Sequence, residues 1–236
     1  SRTTDGCQPA FGMMAHKNPA LGTAAVKSTE LLRRCTADGL LHGGIHYLSH
    51  GIKPCVHHTF SHSKNLAAML DHWDHLPEIN TTAPLPRTIA DGIKYFAELD
   101  TNLFARGDWR GTVTAYDAIY KDGHYRQATG GALSVLYHNK VGLLCAASMA
   151  IYKLVEPYNQ QPNPGEDFAF TPRVETFKDD VWYSNIFDRT ATMTSEDAEG
   201  EIKLRAKAQL KNEENEAVTE TASDFELTYT CSKDVI

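Results

Sequence analysis

The feature that most constrains the fold is a series of short segments, rich in β-branched and aromatic residues, that runs from residue 88 to the end of the chain. Turn-forming pairs separate them, among them Gly107-Asp108, Asn139-Lys140 and Glu199-Gly200. Short strands joined by tight turns pair antiparallel, whereas parallel pairing needs long helical connections. The pattern predicts an antiparallel β-sandwich over residues 88–236. Its predicted strands are 92–96, 101–106, 110–120, 132–138, 143–155, 181–187, 202–208 and 225–231.

The residues before this region have helical periodicity. Asn18 is a suitable N-cap and Pro19 suits the first helical position, which predicts a helix over residues 18–38 that ends at Gly39. A glycine- and histidine-rich loop follows over residues 39–55. Residues 76–87 contain three prolines and predict a linker. The expected fold class is therefore α+β, with an α-helical segment over residues 1–80 ahead of the sandwich.

A second helix is predicted over residues 57–74, with two chemically different faces. The apolar positions fall on one side, which is built for packing: Phe60, Leu66, Ala67, Leu70 and Trp73. The polar positions fall on the other side: His58, His62, Asn65 and His72. This helix is the natural place to look for acid–base chemistry.

Charge and histidine are unevenly distributed along the chain. The formal net charge is -7, so the chain as a whole is a poor binder of polyanions by charge alone, and no nucleic-acid partner is expected. Residues 1–75, however, carry nine of the eleven histidines and a net charge of +2.

No apolar run approaches the length of a membrane helix, so no membrane span is expected. Five scattered cysteines predict buried free thiols. Because the chain begins with Ser1, we expect it to be a piece of a longer protein.

The first candidate site is the loop and helix from His42 to Lys64. His58 and His62 are four residues apart, so both imidazoles can face one site. Tyr47 lies on the glycine-flanked loop ahead of them, and histidine and tyrosine together can exchange protons with a substrate. Histidines four apart can also bind zinc, but no HExxH motif is present. Histidines that merely satisfy packing are the third possibility.

Two further candidates lie in the β region. Arg126 stands in a glycine-rich turn with His124 and could bind a carboxylate or sulfate through two hydrogen bonds. Trp109, after Gly107, could stack on a sugar ring if it is exposed. The simpler interpretations are a hairpin with a surface arginine and a tryptophan in the sandwich core.

This combination of residues resembles the polysaccharide lyases of the heparinase II/III and alginate-lyase type. The stretch from His57 to Lys64 is similar to the last helices of their α/α toroid, and Gly130-Gly131-Ala132-Leu133-Ser134 is similar to a β-domain turn that faces the cleft. The resemblance implies that residues 1–80 are the end of a toroid. It also implies β-elimination from a uronic-acid-containing polysaccharide.

The resemblance implies roles for individual residues. Tyr47 would transfer the proton at O4, and His58, or alternatively His57, would act as base or neutralise the carboxylate. The substrate-binding residues would be His62, Asn65, Trp109, His124 and Arg126. No cofactor is implied, apart from an unassigned structural divalent metal.

The implied partner is an acidic polysaccharide or oligosaccharide, and the implied location is periplasmic or secreted. The oligomeric state stays open. Two other functions also remain possible: a non-catalytic carbohydrate-binding or structural sandwich, and a metal-dependent hydrolase that uses the histidine cluster.

Overall fold

The computed structural model describes residues 7–41, 59–60, 63–64, 67, 70–71, 74, 81–115, 125–126, 128–147, 151–152, 171–198, 200–218 and 224–235. The chain divides into two compact units. The first comprises residues 1–89 and 156–161, and the second comprises residues 90–155 and 162–236.

In the described part of the first unit, two helices pack on one another. These are α1 (Cys7–Met14) and α2 (Pro19–Arg34). Gln8 of α1 donates a hydrogen bond to Ser28 of α2 at 2.9 Å. Thr23 of α2 donates to the carbonyl of Ala83 at 2.8 Å, which attaches the segment before the short helix α3 (Pro86–Ile89) to the pair. The prediction did not include α1.

Helix α2 begins where the sequence places it and ends earlier. The Asn18 side chain accepts a hydrogen bond from the Ala20 N–H, and Pro19 is the first helical residue, as expected. The helix stops at Arg34 rather than at residue 38, because Cys35 caps it through bonds to the carbonyls of Leu31 and Leu32. A hairpin of β1 (Thr36–Ala37) and β2 (Leu40–Leu41) follows, with left-handed Asp38 and Gly39 in its turn.

The described residues of the predicted helix 57–74 are helical at positions 59–60, 63–64, 67 and 70–71. The predicted packing face is wrong at the positions that the structure describes. Phe60 is 68 % exposed and Leu70 is 60 % exposed, and Ala67 is exposed as well. Sequence periodicity shows which face of a helix is apolar, but it does not show whether another element packs against that face.

The second unit contains a five-stranded antiparallel sheet with the order β3-β4-β5-β7-β8. Its strands are β3 (Gly92–Phe96), β4 (Thr101–Arg106), β5 (Trp109–Thr114), β7 (Ala132–His138) and β8 (Gly142–Ala146). A short pair, β6 (Tyr125–Arg126) and β9 (Ile151–Tyr152), is also antiparallel. Strands β3, β4 and β7 have the predicted ends.

Two more antiparallel arrangements complete the described part of this unit. A three-stranded sheet has the order β12-β13-β14, formed by Thr192–Ala198, Glu201–Gln209 and Asp224–Cys231. A hairpin pairs β10 (Glu175–Lys178) with β11 (Val181–Ser184). A 3-10 turn at Asn185–Phe187 ends the predicted strand 181–187 early. Strands β10 and β12 were not predicted.

Residues of the five-stranded and three-stranded sheets share one hydrophobic core. Phe104, Val113 and Leu133 come from the first sheet, and Ile202, Leu204 and Cys231 come from the second, each at most 5 % exposed. Arg106 of β4 makes ion pairs with Asp91, at 3.4 Å, and with Asp197 of β12. The described chain is thus mostly antiparallel sheet with a few short helices, which is consistent with the predicted sandwich.

In the described part of the chain, Cys35, Cys145 and Cys231 are thiols that form no disulfide bond. Burial raises the pKa of the Cys231 thiol to about 11, although Arg106 and Arg110 oppose the shift. Burial also raises the pKa of the Cys145 thiol. Among the described helices, none is both long and apolar enough to cross a membrane.

Candidate functional site

Most of the predicted acid–base block falls outside the residues that the structure describes. This holds for Tyr47, His57, His58, His62, Asn65 and His124. Their roles therefore stay predictions. The structure does describe how the fold holds the second candidate, the glycine-rich segment beside Arg126.

Arg126 lies on β6, opposite Ile151 of β9. Two residues further on, the chain enters a buried segment, Ala128–Gly131, before it continues as β7. The Thr129 N–H donates to the carbonyl of Ile186 at 3.1 Å, and the Gly130 N–H donates to the carbonyl of Ala115 at 3.2 Å. The buried segment that begins two residues after Arg126 is therefore bonded to two other parts of the unit.

Gly130 is required by close approach as well as by backbone conformation. Its φ is +63°, and a Cβ at this position would collide with the carbonyl oxygen of Asn185. The carbonyl of Gly130 accepts a hydrogen bond from the Asn185 side chain at 3.1 Å, and the carbonyl of Gly131 accepts one from Tyr229 at 2.9 Å. In the described structure, the two glycines allow close packing between segments of the unit.

Tyr229 donates its hydrogen bond as a neutral phenol. Burial raises the pKa of Tyr229 to about 12, so its hydroxyl keeps its proton at neutral pH. The bond to Gly131 therefore serves the scaffold, in contrast to the proton-transfer role predicted for Tyr47.

Asn185 joins the glycine-rich segment to the hairpin β10–β11. It is completely buried, and besides donating to Gly130 its side chain accepts a hydrogen bond from the Val174 N–H at 2.9 Å. Its own N–H donates to the carbonyl of Val174 at 3.2 Å. One amide side chain therefore fixes the start of the hairpin and the segment that follows Arg126.

Trp109 is partly buried and packs against the shared core. Its ring meets that of His138 edge-on, with 4.7 Å between ring centroids and 69° between ring planes. This geometry favours the packing interpretation of Trp109 over a free stacking surface. Beside it, Lys140 and Asp108 form an exposed ion pair of 2.6 Å, which lowers the pKa of the Asp108 carboxyl and raises that of Lys140.

The exposed tryptophan of the described chain is Trp182, which the sequence reasoning missed. Trp182 is 58 % exposed and its cross-strand neighbour Phe177 is 54 % exposed. Their ring centroids lie 5.1 Å apart. A sequence signal was present, because Phe177-Lys178 and Val181-Trp182 flank the turn-forming pair Asp179-Asp180. In the structure both aspartates adopt the left-handed conformation of a two-residue hairpin turn.

A concave surface of about 480 Å³ lies at one end of the three-stranded sheet. Asp188 forms part of it and is 1 % exposed; the carboxylate accepts hydrogen bonds from the N–H groups of Thr190 and Gln209. Lys211 lies 3.5 Å from the same carboxylate and donates to the Thr190 hydroxyl at 2.9 Å. This buried ion pair is fully bonded, so its role is structural. Within the described ranges, no cluster of three potential metal ligands occurs.

Comparisons with known proteins cover nearly the whole chain. The model described as "Ulvan lyase N-terminal domain" matches residues 1–88, and that described as "Ulvan lyase C-terminal domain" matches residues 93–236. A "Broad-specificity ulvan lyase" of Formosa agariphila is 66 % identical over 237 residues. That alignment covers 99 % of this chain but only 37 % of the relative. No solved structure matches the chain. The matches support the polysaccharide lyase class expected from the sequence, and they name ulvan lyases in place of the heparinase II/III and alginate-lyase types.

Proposed function

This chain belongs to the ulvan lyase family, and on that premise we propose that it acts in the cleavage of ulvan by β-elimination. The observation that carries the proposal is the match of two consecutive ulvan lyase domain models to residues 1–88 and 93–236. The relative of 66 % identity, itself called a broad-specificity ulvan lyase, supports the same function. The chain spans 37 % of that relative's length. That this chain shares the relative's activity is therefore our proposal.

The reaction proposed is elimination beside a uronate carboxylate. A base removes the proton from C5, the C4–O4 bond breaks, and a double bond forms between C4 and C5. An acid delivers a proton to the departing O4. The negative charge that develops on the carboxylate needs hydrogen-bond donors or cations near it.

We assign these tasks as the sequence predicts them. Tyr47 transfers the proton at O4, and His58 or His57 acts as base or neutralises the carboxylate. Substrate binding is assigned to His62, Asn65, His124 and Arg126, and Trp109 is left out because its ring packs against the core. The net charge of +2 over residues 1–75 favours an acidic substrate in that part of the chain.

The described structure bears on the Arg126 assignment through the backbone. Arg126 lies on β6, which pairs with β9, and the segment that begins two residues later is bonded to Ala115, Ile186 and Asn185. We also propose that residues 1–80 are the end of an α/α toroid, and that the protein is periplasmic or secreted, where a large polysaccharide is encountered.

The decisive experiment incubates the 236-residue chain with ulvan and follows ultraviolet absorbance and new reducing ends together. A lyase raises both, because each cleavage creates a conjugated double bond and a reducing end. A hydrolase raises the reducing ends alone. A non-catalytic binding protein raises neither, and that result would overturn the proposal.

Replacing Tyr47 by Phe tests the acid–base assignment. We expect the rate to fall by roughly 100-fold or more, because general acid–base residues contribute about 10²–10⁴-fold. Tyr95→Phe is the matched control, since Tyr95 is half exposed and its hydroxyl bonds only within its own hairpin region, to Asp100 at 3.0 Å. An unchanged rate in Tyr47→Phe, with circular dichroism like that of the parent, would remove Tyr47 from the mechanism.

A further inference from the structure

The hairpin β10–β11 carries an aromatic pair that no function assigned so far uses. Phe177 and Trp182 are directly opposite one another across the two strands, so both rings project from the same face of the hairpin. More than half of each residue is exposed, and the rings are inclined at 48° with centroids 5.1 Å apart. We call these two residues the aromatic platform.

The platform contributes little to stability. A cross-strand aromatic pair stabilises a hairpin by only about 0.2–1 kcal/mol, and the exposed part of each ring gains nothing from burial on folding. The hairpin needs little further support, because Asn185 bonds both backbone groups of Val174 at its base and Ser184 pairs with Lys211. A binding role accounts for the exposure better than a folding role.

The size of the platform limits what can occupy it. Two aromatic side chains that are about half exposed offer on the order of 200 Å² of apolar surface, since a whole aromatic residue buries about 150–250 Å². A stable protein interface needs about 800 Å² from each partner. The platform alone is therefore too small to form a protein interface, but its area matches the face of a sugar ring.

The chemistry of the platform also fits a sugar. The C–H bonds on the less polar face of a pyranose carry partial positive charge and contact the negative face of an aromatic ring. Glu175 lies on the same face of the hairpin, two residues before Phe177, and makes an ion pair of 2.7 Å with Arg173. A carboxylate and a guanidinium beside aromatic rings are the groups that hydrogen-bond sugar hydroxyls at the ring edge.

We propose that Phe177 and Trp182 form a stacking subsite for a pyranose ring of the polysaccharide chain. The identity of that polysaccharide as ulvan rests on the proposed function. Because stacking depends on contact area rather than on net charge, the subsite holds the ring whatever acidic groups it carries. Its contribution to binding is weakened little by salt, in contrast to that of an arginine or lysine subsite.

The test measures binding and cleavage separately in the 236-residue chain, using ulvan as the probe. Binding is followed by the retardation of the protein in native gels that contain ulvan, at low and at high salt. Trp182→Val removes the ring and keeps a strand-forming residue, and Trp182→Phe keeps a ring. Leu143→Val is the control, because Leu143 is an exposed apolar strand residue, 61 % exposed, outside the platform.

We expect Trp182→Val to weaken ulvan binding by about five- to tenfold at both salt concentrations, which is what the loss of one aromatic contact produces. Trp182→Phe should restore most of the affinity, and Leu143→Val should bind like the parent. Equal binding by the parent and Trp182→Val overturns the inference, as does a parent that binds no ulvan. Self-association that disappears in Trp182→Val also overturns it, because the platform would then serve a protein contact.

The two proposals fail in different ways. A chain that binds ulvan through Trp182 but releases no unsaturated product contradicts the lyase function and leaves the subsite intact. A chain that cleaves ulvan with the same KM in the parent and in Trp182→Val contradicts the subsite and leaves the lyase function intact.

Discussion

Replacing Asn185 by Ala should destabilise the second unit more than a change at any exposed polar residue. Asn185 is completely buried, and its side chain bonds one donor and one acceptor of the backbone. Truncation to alanine leaves the Val174 N–H and the Gly130 carbonyl without these partners. Both groups lie at places where the structure brings separate segments together, so they cannot easily find new partners within the chain.

The expected loss in the free energy of unfolding follows from the Val174 N–H and the Gly130 carbonyl. A buried backbone group that loses its partner costs about 1–3 kcal/mol. The Gly130 carbonyl is buried, but Val174 is 38 % exposed, so water replaces part of the bond to its N–H, and the expected loss in the free energy of unfolding is about 2 kcal/mol. With a urea m-value of about 2 kcal/mol per molar, the urea midpoint should fall by about 1 M at unchanged slope.

The assay is urea unfolding followed by circular dichroism, with Asn139→Ala as the matched control. The Asn139 side chain makes one long hydrogen bond, 3.5 Å to Asp108, so its removal should cost less than about 0.5 kcal/mol. Asn185→Asp tests the hydrogen bond without changing the side-chain volume. It places a carboxylate oxygen where the Asn185 amide donated to the Gly130 carbonyl. An Asn185→Ala midpoint equal to that of the control, or an Asn185→Asp protein as stable as the parent, would refute the reasoning.

Two further predictions concern the core and the alkaline limit of stability. Gly111→Ala should cost about 1–3 kcal/mol in urea unfolding, because the added Cβ collides with the Phe104 ring; combining it with Phe104→Leu should cost less than the sum of the two single changes. Stability should be constant from neutral pH to about pH 9 and should fall as the pH rises towards 12. The reason is that the folded state holds the protons of Cys231 and Tyr229 more tightly, with pKa values of about 11 and about 12. Thermal melts should show a shallower fall above pH 10 for Tyr229→Phe, and the same slope in variant and parent would contradict the assignment.

The strands that the sequence predicted correctly are short segments, rich in β-branched and aromatic residues, between clear turn residues. β4 and β5 meet at Gly107-Asp108, and Arg106 pairs with Trp109 across that two-residue turn. β12 escaped prediction because its residues, Thr192–Ala198, are mostly polar and exposed, which is common for an edge strand. α1 was missed because Pro9 and Gly12 interrupt a short apolar segment.

For the candidate site, the sequence indicated residue types and motifs, whereas their surroundings became clear only from the tertiary fold. From the sequence, Trp109 was proposed as a sugar-stacking residue and Trp182 was missed. Whether such a ring is buried depends on which sheet packs over it, and that is a property of the tertiary fold. The same limit applies to Gly130: the motif was visible, but its purpose becomes clear only from Asn185, which is 55 residues away along the chain. The block from His42 to Lys64 stays a prediction from residue types.

The thiols in the sandwich core have a practical consequence. Oxidants and alkylating reagents attack the thiolate, and a thiol with a pKa of about 11 is ionised in only about one molecule in ten thousand at neutral pH. Cys231, and to a lesser degree Cys145, should therefore react slowly with such reagents while the sheets stay together. In a variant with serine at Cys7, Cys35 and Cys55, labelling by a thiol reagent would report that the two sheets have come apart.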